Sequence, residues 1–313
     1  MAYFVDPNYQ TKARKPEDFD EFWSDVVSQV GKLDLDPEAA PDPMRSSDEI
    51  EVFQTFFTSI DNVRIAGWYC LPRDRQDALP AILVVPGYQS DPGIPKEWAR
   101  RGYAALSVAP RGKLRSNSQF NPGYPGLLTY GIIDRNIYSY RGFYVDAWRA
   151  VDFLLSRDEV NGTRIGVTGS SQGGGLTLCT AAMRDEIVAA AAGAPYLTGF
   201  MDSIELTHTY PYEEINDYLR LHPDSRELVE QTVNYFDCIN FADRISCPII
   251  VNIGLQDNVC PPETGYALFH RLGSPDKRLY AYDGQGHSAG RHEHDAIVSS
   301  FFDRHLKEDA SYD

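Results

Sequence analysis

The stretch that most constrains this chain is Gly169-Ser170-Ser171-Gln172-Gly173, set between the apolar run Arg164-Ile165-Gly166-Val167-Thr168 and the small-residue run Gly174-Gly175-Leu176-Thr177-Leu178. That order reads strand, tight turn, helix. A serine on such a turn is held in a strained backbone conformation, and small neighbours are needed because a Cβ there would strike the adjoining strand or helix. Ser171 is therefore the candidate nucleophile. The pentapeptide alone is a weak signal, expected by chance in about one chain in eight of this composition. The strand before it and the helix after it give it weight.

Around this turn the chain alternates strands and helices. Ala81-Ile82-Leu83-Val84-Val85 is a continuous apolar run, as in a strand buried on both faces, and ends in Pro86-Gly87-Tyr88. A helix over 94–101 and a second buried strand over 103–108 follow, closing at Arg111-Gly112-Lys113. The segment 138–156 has helical spacing and leads into the Ser171 strand. Further strands are expected at 187–194, 248–253 and 278–282, with helices at 263–272 and from about His294 to Leu306. The fold class is α/β, a doubly wound, mostly parallel sheet.

Three segments fall outside that alternation. In residues 1–48 a helix opens at Pro16-Glu17-Asp18, with Phe19, Phe22, Trp23, Val26, Val27 and Val30 at helical spacing, and a proline-rich arm wraps the surface over 34–48. Residues 51–71 read as a hairpin at a sheet edge, and 114–131 as an inserted, turn-rich loop. Residues 200–241 carry helical and aromatic positions but no strand, as a cap over the site would. With no linker or repeat to divide it, the chain of 313 residues reads as one domain.

A serine hydroxyl needs a base within hydrogen-bond reach and a third group to hold that base. On sheets of this kind the order along the chain is Ser, Asp or Glu, then His, each just past a strand. Ser171, Asp257 in Gly254-Leu255-Gln256-Asp257, and His287 in Gly284-Gln285-Gly286-His287 satisfy order and placement together. Asp283 also follows a strand but sits on the histidine's own loop, so it ranks below Asp257. Acyl transfer further needs donors for an oxyanion. The backbone N–H of Gln172 is one, and Tyr88, after the first buried strand, is the candidate for the other. His287, His292 and His294 suggest a metal cluster, but their spacing fits no short metal motif, and His292 and His294 read as the solvated start of the last helix. Neither a metal nor an organic cofactor is expected.

The net charge of −16 disfavours nucleic acid and anionic membranes as partners and favours a small neutral substrate. Five scattered cysteines without C-x-x-C spacing, a polar N-terminus and no membrane-length apolar run imply a cytoplasmic protein.

The chain also resembles the acetyl xylan esterase and cephalosporin C deacetylase family of carbohydrate esterases. The likeness runs through Pro16–Trp23, Pro86-Gly87-Tyr88, Arg111-Gly112, Gly169–Gly175, Pro211-Tyr212-Glu213-Glu214-Ile215, Tyr235-Phe236-Asp237, Gly254–Pro262 and Gly286-His287. It implies an α/β-hydrolase fold, a Ser171, Asp257, His287 triad, an oxyanion hole at Tyr88 and Gln172, and a preference for acetyl esters. It also implies a homo-oligomer in the form of a ring-shaped hexamer. The apolar side chains of the inserted loop, among them Phe120, Tyr124, Leu127, Leu128 and Tyr130, agree with burial against another subunit. Two positions depart from the family pattern: Lys113 stands where it has Gln, and Ser288 where it has Glu. A serine peptidase of the prolyl oligopeptidase type is disfavoured by the short run before the first core strand, and a catalytically dead binding protein by the complete triad.

Overall fold

The computed structural model describes residues 5–307. Among these described residues, nine strands form one sheet in the order β1-β2-β3-β5-β4-β6-β7-β8-β9. They are β1 (Glu38–Pro41), β2 (Ile50–Thr58), β3 (Arg64–Pro72), β4 (Leu79–Val85), β5 (Ala104–Ala109), β6 (Val160–Ser170), β7 (Ile187–Gly193), β8 (Ile249–Gly254) and β9 (Lys277–Tyr282). From β5 through β4, β6, β7 and β8 to β9 the pairing is parallel, and β1, β2 and β3 extend the sheet antiparallel. The apolar runs work as buried strands because alternate residues serve opposite faces. Ala81, Leu83 and Val85 join the main core, while Ile82 joins a second one with Ala189, Ala191, Ile250 and Phe302. Helices α3 (Ser139–Leu155) and α4 (Gln172–Met183) cover the first face. Helices α2 (Lys96–Arg100) and α9 (Arg291–Leu306) cover the second, where Trp98 meets Phe302 edge-on at 5.5 Å.

The N-terminal helix α1 (Phe19–Val30) buries Phe19, Phe22, Trp23, Val26 and Val30 but leaves Val27 exposed. Trp23 packs edge-on against Trp148 of α3 and against Phe236, and its indole N–H donates to the Tyr235 carbonyl at 3.0 Å. The 51–71 hairpin forms but is not the sheet edge: Glu38–Pro41 of the arm pairs outside it as β1. A four-residue strand ending in proline is a short edge that resists further pairing.

The inserted loop behaves differently from its composition. Leu127 and Leu128 are buried in the chain's own core, and Tyr124 meets Tyr88 edge-on at 4.9 Å. Tyr130 stays exposed with the neighbouring Ile133 and Ile137. Across 200–241 lie α5 (Phe200–Leu206), α6 (Glu213–Leu221) and α7 (Arg226–Asn234), without a strand. Helix α8 (Pro262–Arg271) joins β8 to β9. Helix α9 starts at Arg291, three residues before the expected His294, and His294 is buried rather than solvated. Among the described residues no helix is long and apolar enough to cross a membrane.

Candidate active site

Ser171 sits between β6 and α4 with φ 60° and ψ −122°, a conformation costing about 1–3 kcal/mol that the surroundings must enforce. They do so through the backbone. Ser171 N–H donates to the Gly193 carbonyl at 2.9 Å, and the Ser171 carbonyl accepts from Tyr196 at 3.0 Å and Gly175 at 3.2 Å. A Cβ on Gly169 or Gly173 would lie 2.5 or 2.3 Å from the Val85 carbonyl oxygen, so both positions need glycine for close approach to β4. Gln172 is the first residue of α4, and N–H groups of a helix's first turn have no intrahelical acceptor. Its buried side chain is held by the Tyr140 hydroxyl, which donates to Oε1 at 2.8 Å.

On the opposite side, His287 Nδ1 lies 2.8 Å from Asp257 Oδ2. The other oxygen of Asp257 accepts from the backbone N–H groups of Val259 and Cys260 at 2.8 and 3.0 Å, which fixes the carboxylate plane. Asp257 is buried and His287 part-exposed at the wall of a cavity of about 840 Å³ that Ser171, Gly87, Ser90, Asn252 and Ser288 also line. Asp283 does not reach His287; it accepts from Gln256 Nε2 at 3.0 Å and from Gly284 N–H. At Gly254 a Cβ would lie 2.0 Å from the Gly286 carbonyl oxygen, so its absence lets the histidine loop pack on the aspartate loop.

Cys260 was not singled out by any short motif. Burial pushes its thiol pKa well above the ordinary value, with Asp257 adding to the shift and the Ser171 hydroxyl opposing it. The ligand atoms of Asp257, Cys260 and His287 lie within 4.8 Å of one another. The cluster of His287 with His292 and His294 does not assemble: His292 is exposed, and buried His294 is engaged through Nδ1 with the Tyr282 hydroxyl at 2.8 Å.

The loop after β4 faces the serine turn and is held from two sides. The Tyr88 hydroxyl donates to Glu214 Oε1 at 2.5 Å and accepts from Leu128 N–H at 3.0 Å. Burial raises the Tyr88 pKa, with Glu214 adding to it, and burial also raises that of Glu214. From below, Lys113 Nζ donates to the carbonyls of Gly87, at 2.8 Å, and Tyr88. Glu214 and Lys113 lie 126 and 25 residues from Tyr88, so only the tertiary fold reveals these contacts.

Residues 7–305 match the family model described as acetyl xylan esterase (AXE1). The acetyl esterase Axe7A of Xylanibacter ruminicola is 27% identical over 85% of this chain, which spans only 62% of that longer protein. Among solved structures, an acetyl xylan esterase from Paenibacillus sp. R4 superposes with a TM-score of 0.88 at 33% identity, covering 96% of this chain and 98% of the other. Acetyl xylan esterase 1 from Thermoanaerobacterium superposes at 0.86 and 28% identity, covering 95% and 96%. The sheet with its flanking helices is thus an α/β-hydrolase fold, and the chain belongs to the acetyl xylan esterase (AXE1) family.

Proposed function

We propose that this chain is a serine carboxylesterase that removes short acyl groups, acetyl above all, from esters of sugars or similar small alcohols. The observation that carries the reading is that Ser171 and the Asp257-bound His287 line one cavity. With Asp257 accepting from Nδ1–H, Nε2 of His287 is the free base. It takes the Ser171 Oγ proton as that oxygen bonds to the ester carbonyl carbon, and the carbonyl oxygen becomes an oxyanion. The N–H groups of Gln172 and Tyr88 are its donors. Collapse breaks the ester C–O bond while imidazolium returns the proton to the leaving alcohol. Water, deprotonated by the same imidazole, then releases acetate and restores Ser171. Every proton has a protein carrier in this sequence, so activity is expected to survive dialysis against EDTA. The buried rings of Tyr88 and Tyr196 and the partly buried ring of Tyr124 beside the oxyanion loop support a short acyl pocket.

The family and its acetyl xylan esterase relatives support the acetyl preference, and the charge of −16 supports a neutral substrate. The exposed Tyr130, Ile133 and Ile137 at the end of the inserted loop support a homo-oligomer, to be read as a mass several times 35.2 kDa by light scattering. The functional test is Ser171→Ala on p-nitrophenyl acetate, with butyryl and octanoyl esters and a panel of acetylated sugars alongside. A folded Ser171→Ala variant should lose at least ~10³-fold in kcat. Near-normal turnover by that variant would remove Ser171 from the mechanism, and rates rising with acyl length would remove the acetyl preference.

A further inference from the structure

In a trans peptide the C=O and N–H point in opposite directions within one plane. Whatever grips the carbonyl of Gly87 therefore aims the N–H of Tyr88 the other way. The grip here is Lys113, whose Nζ lies 2.8 Å from the Gly87 oxygen and also donates to the Tyr88 oxygen, and the peptide between those residues is not among the cis bonds of the described chain. Gly87 in turn abuts the serine turn: a Cβ there would lie 3.7 Å from the Ser170 carbonyl oxygen.

A buried ammonium is costly unless hydrogen-bonded, and Lys113 is only 2% exposed. Its approach is prepared by the residues before it. Arg111 is locked to Asp146 through Nε and Nη2, both at 2.9 Å, and Gly112 at φ +77° turns the chain so that the next side chain runs beneath the loop after β4. The ring of Tyr124 flanks the amine at 5.2 Å. Burial pushes the Lys113 pKa down to about 7, with Asp91 opposing the shift. Either protonation form keeps at least two N–H donors, the number the two carbonyls use.

We infer that Lys113 is a positioning residue of the oxyanion hole: it fixes the Gly87–Tyr88 peptide plane so that the Tyr88 N–H is presented to the developing oxyanion. Withdrawing charge through the Gly87 carbonyl also makes that N–H a stronger donor. This rests on the ester hydrolysis proposed above. It goes further in giving the departure from glutamine at this position a role in transition-state binding.

The test compares wild type with Lys113→Met and Lys113→Gln, measuring kcat and KM on p-nitrophenyl acetate and inhibition by phenylboronic acid, whose tetrahedral adduct with a serine mimics the transition state. Deleting a whole oxyanion donor costs about 10²–10³-fold in kcat. Loosening one should cost Lys113→Met at least ~10-fold in kcat and in boronate affinity, with KM within ~3-fold. Lys113→Gln, which keeps an NH₂ donor, should recover part of both losses, a rescue that a simple packing role would not produce. Should Lys113→Met not fold, the same paired loss, smaller, is expected of Lys113→Gln. Folded variants with kcat and boronate affinity within twofold of an active, boronate-binding wild type overturn the inference alone. A wild type that forms no Ser171 adduct overturns the proposed mechanism, and the inference with it.

Discussion

The hydroxyl of Tyr88 donates to the carboxylate of Glu214 across 126 residues of sequence, joining the loop after β4 to the first turn of α6. The same hydroxyl accepts from Leu128 N–H, and the second Glu214 oxygen accepts from Gly126 N–H at 2.8 Å. One phenol and one carboxylate thus tie together the loop after β4, the inserted loop and α6.

Removing Glu214 leaves a buried phenol and a backbone N–H without acceptors, each costing about 1–3 kcal/mol. Glu214→Ala should therefore destabilise the protein by about 2–4 kcal/mol and lower kcat/KM by roughly tenfold, because Tyr88 loses its outer anchor. Glu214→Gln retains an acceptor and should do less of both. Urea titration and steady-state kinetics check this, and a Glu214→Ala protein as stable and active as wild type would show that the tie holds nothing in place.

Cys260 makes a prediction about chemistry that does not happen. A thiol is reactive as thiolate, and burial with Asp257 nearby holds this one protonated. Iodoacetamide at pH 8 should leave esterase activity intact, with Cys247, the one cysteine that is not fully buried, modified first. Mass spectrometry of the alkylated protein locates the adduct. Rapid inactivation with label on Cys260 would mean that the thiol is accessible and ionised.

Asp146 accepts three hydrogen bonds from Arg111, each at 2.9 Å, and one from the Ser59 hydroxyl at 2.5 Å, with both members of the ion pair buried. Breaking a buried pair costs about 3–5 kcal/mol, and without Asp146 the Arg111 guanidinium keeps only the exposed Asp61 carboxylate at 3.2 Å and the Ile60 carbonyl at 2.9 Å. Asp146→Ala should show that loss in thermal unfolding. It should also lose activity at temperatures where it is still folded, because Arg111 sets the start of the turn to Lys113. A loss under ~1 kcal/mol would mean that water replaces the carboxylate.

Much of this was legible in sequence because strand runs and strand-ending loops are local signals. The apolar run at 81–85, the glycine-flanked turn at Ser171 and the order Ser171, Asp257, His287 needed no knowledge of distant partners. The carboxylate of Glu214, the thiol of Cys260 and the ammonium of Lys113 did: each acquires its neighbours only when segments far apart in sequence meet. Leu127 and Leu128 misled for the same reason, since apolar residues on a turn-rich segment do not say whether their own chain or another covers them. His294 reads as a helix-start residue by position, and its burial comes from Tyr280 and Tyr282 packing edge-on at 5.0 and 5.7 Å.

That burial sets an acid limit on stability. His294 is 4% exposed, its Nδ1 is engaged by the Tyr282 hydroxyl, and its Nε2 has no partner among the described residues. Burial pulls its pKa down to about 4, with Asp295 opposing. An unfolded histidine titrates near ~6.5. Between those two values the unfolded chain binds a proton that the folded chain refuses, so stability falls as pH drops through this window and is unaffected above it. The full span is worth about 3 kcal/mol. Replacing the imidazole by an amide that does not titrate, as in His294→Gln, should flatten this part of the profile, even if the variant is less stable at neutral pH. Urea unfolding free energies at pH 7, 5.5 and 4.5 for both proteins measure it. If the two profiles run parallel over that range, His294 carries no part of the acid sensitivity and its proton is accommodated in the folded state.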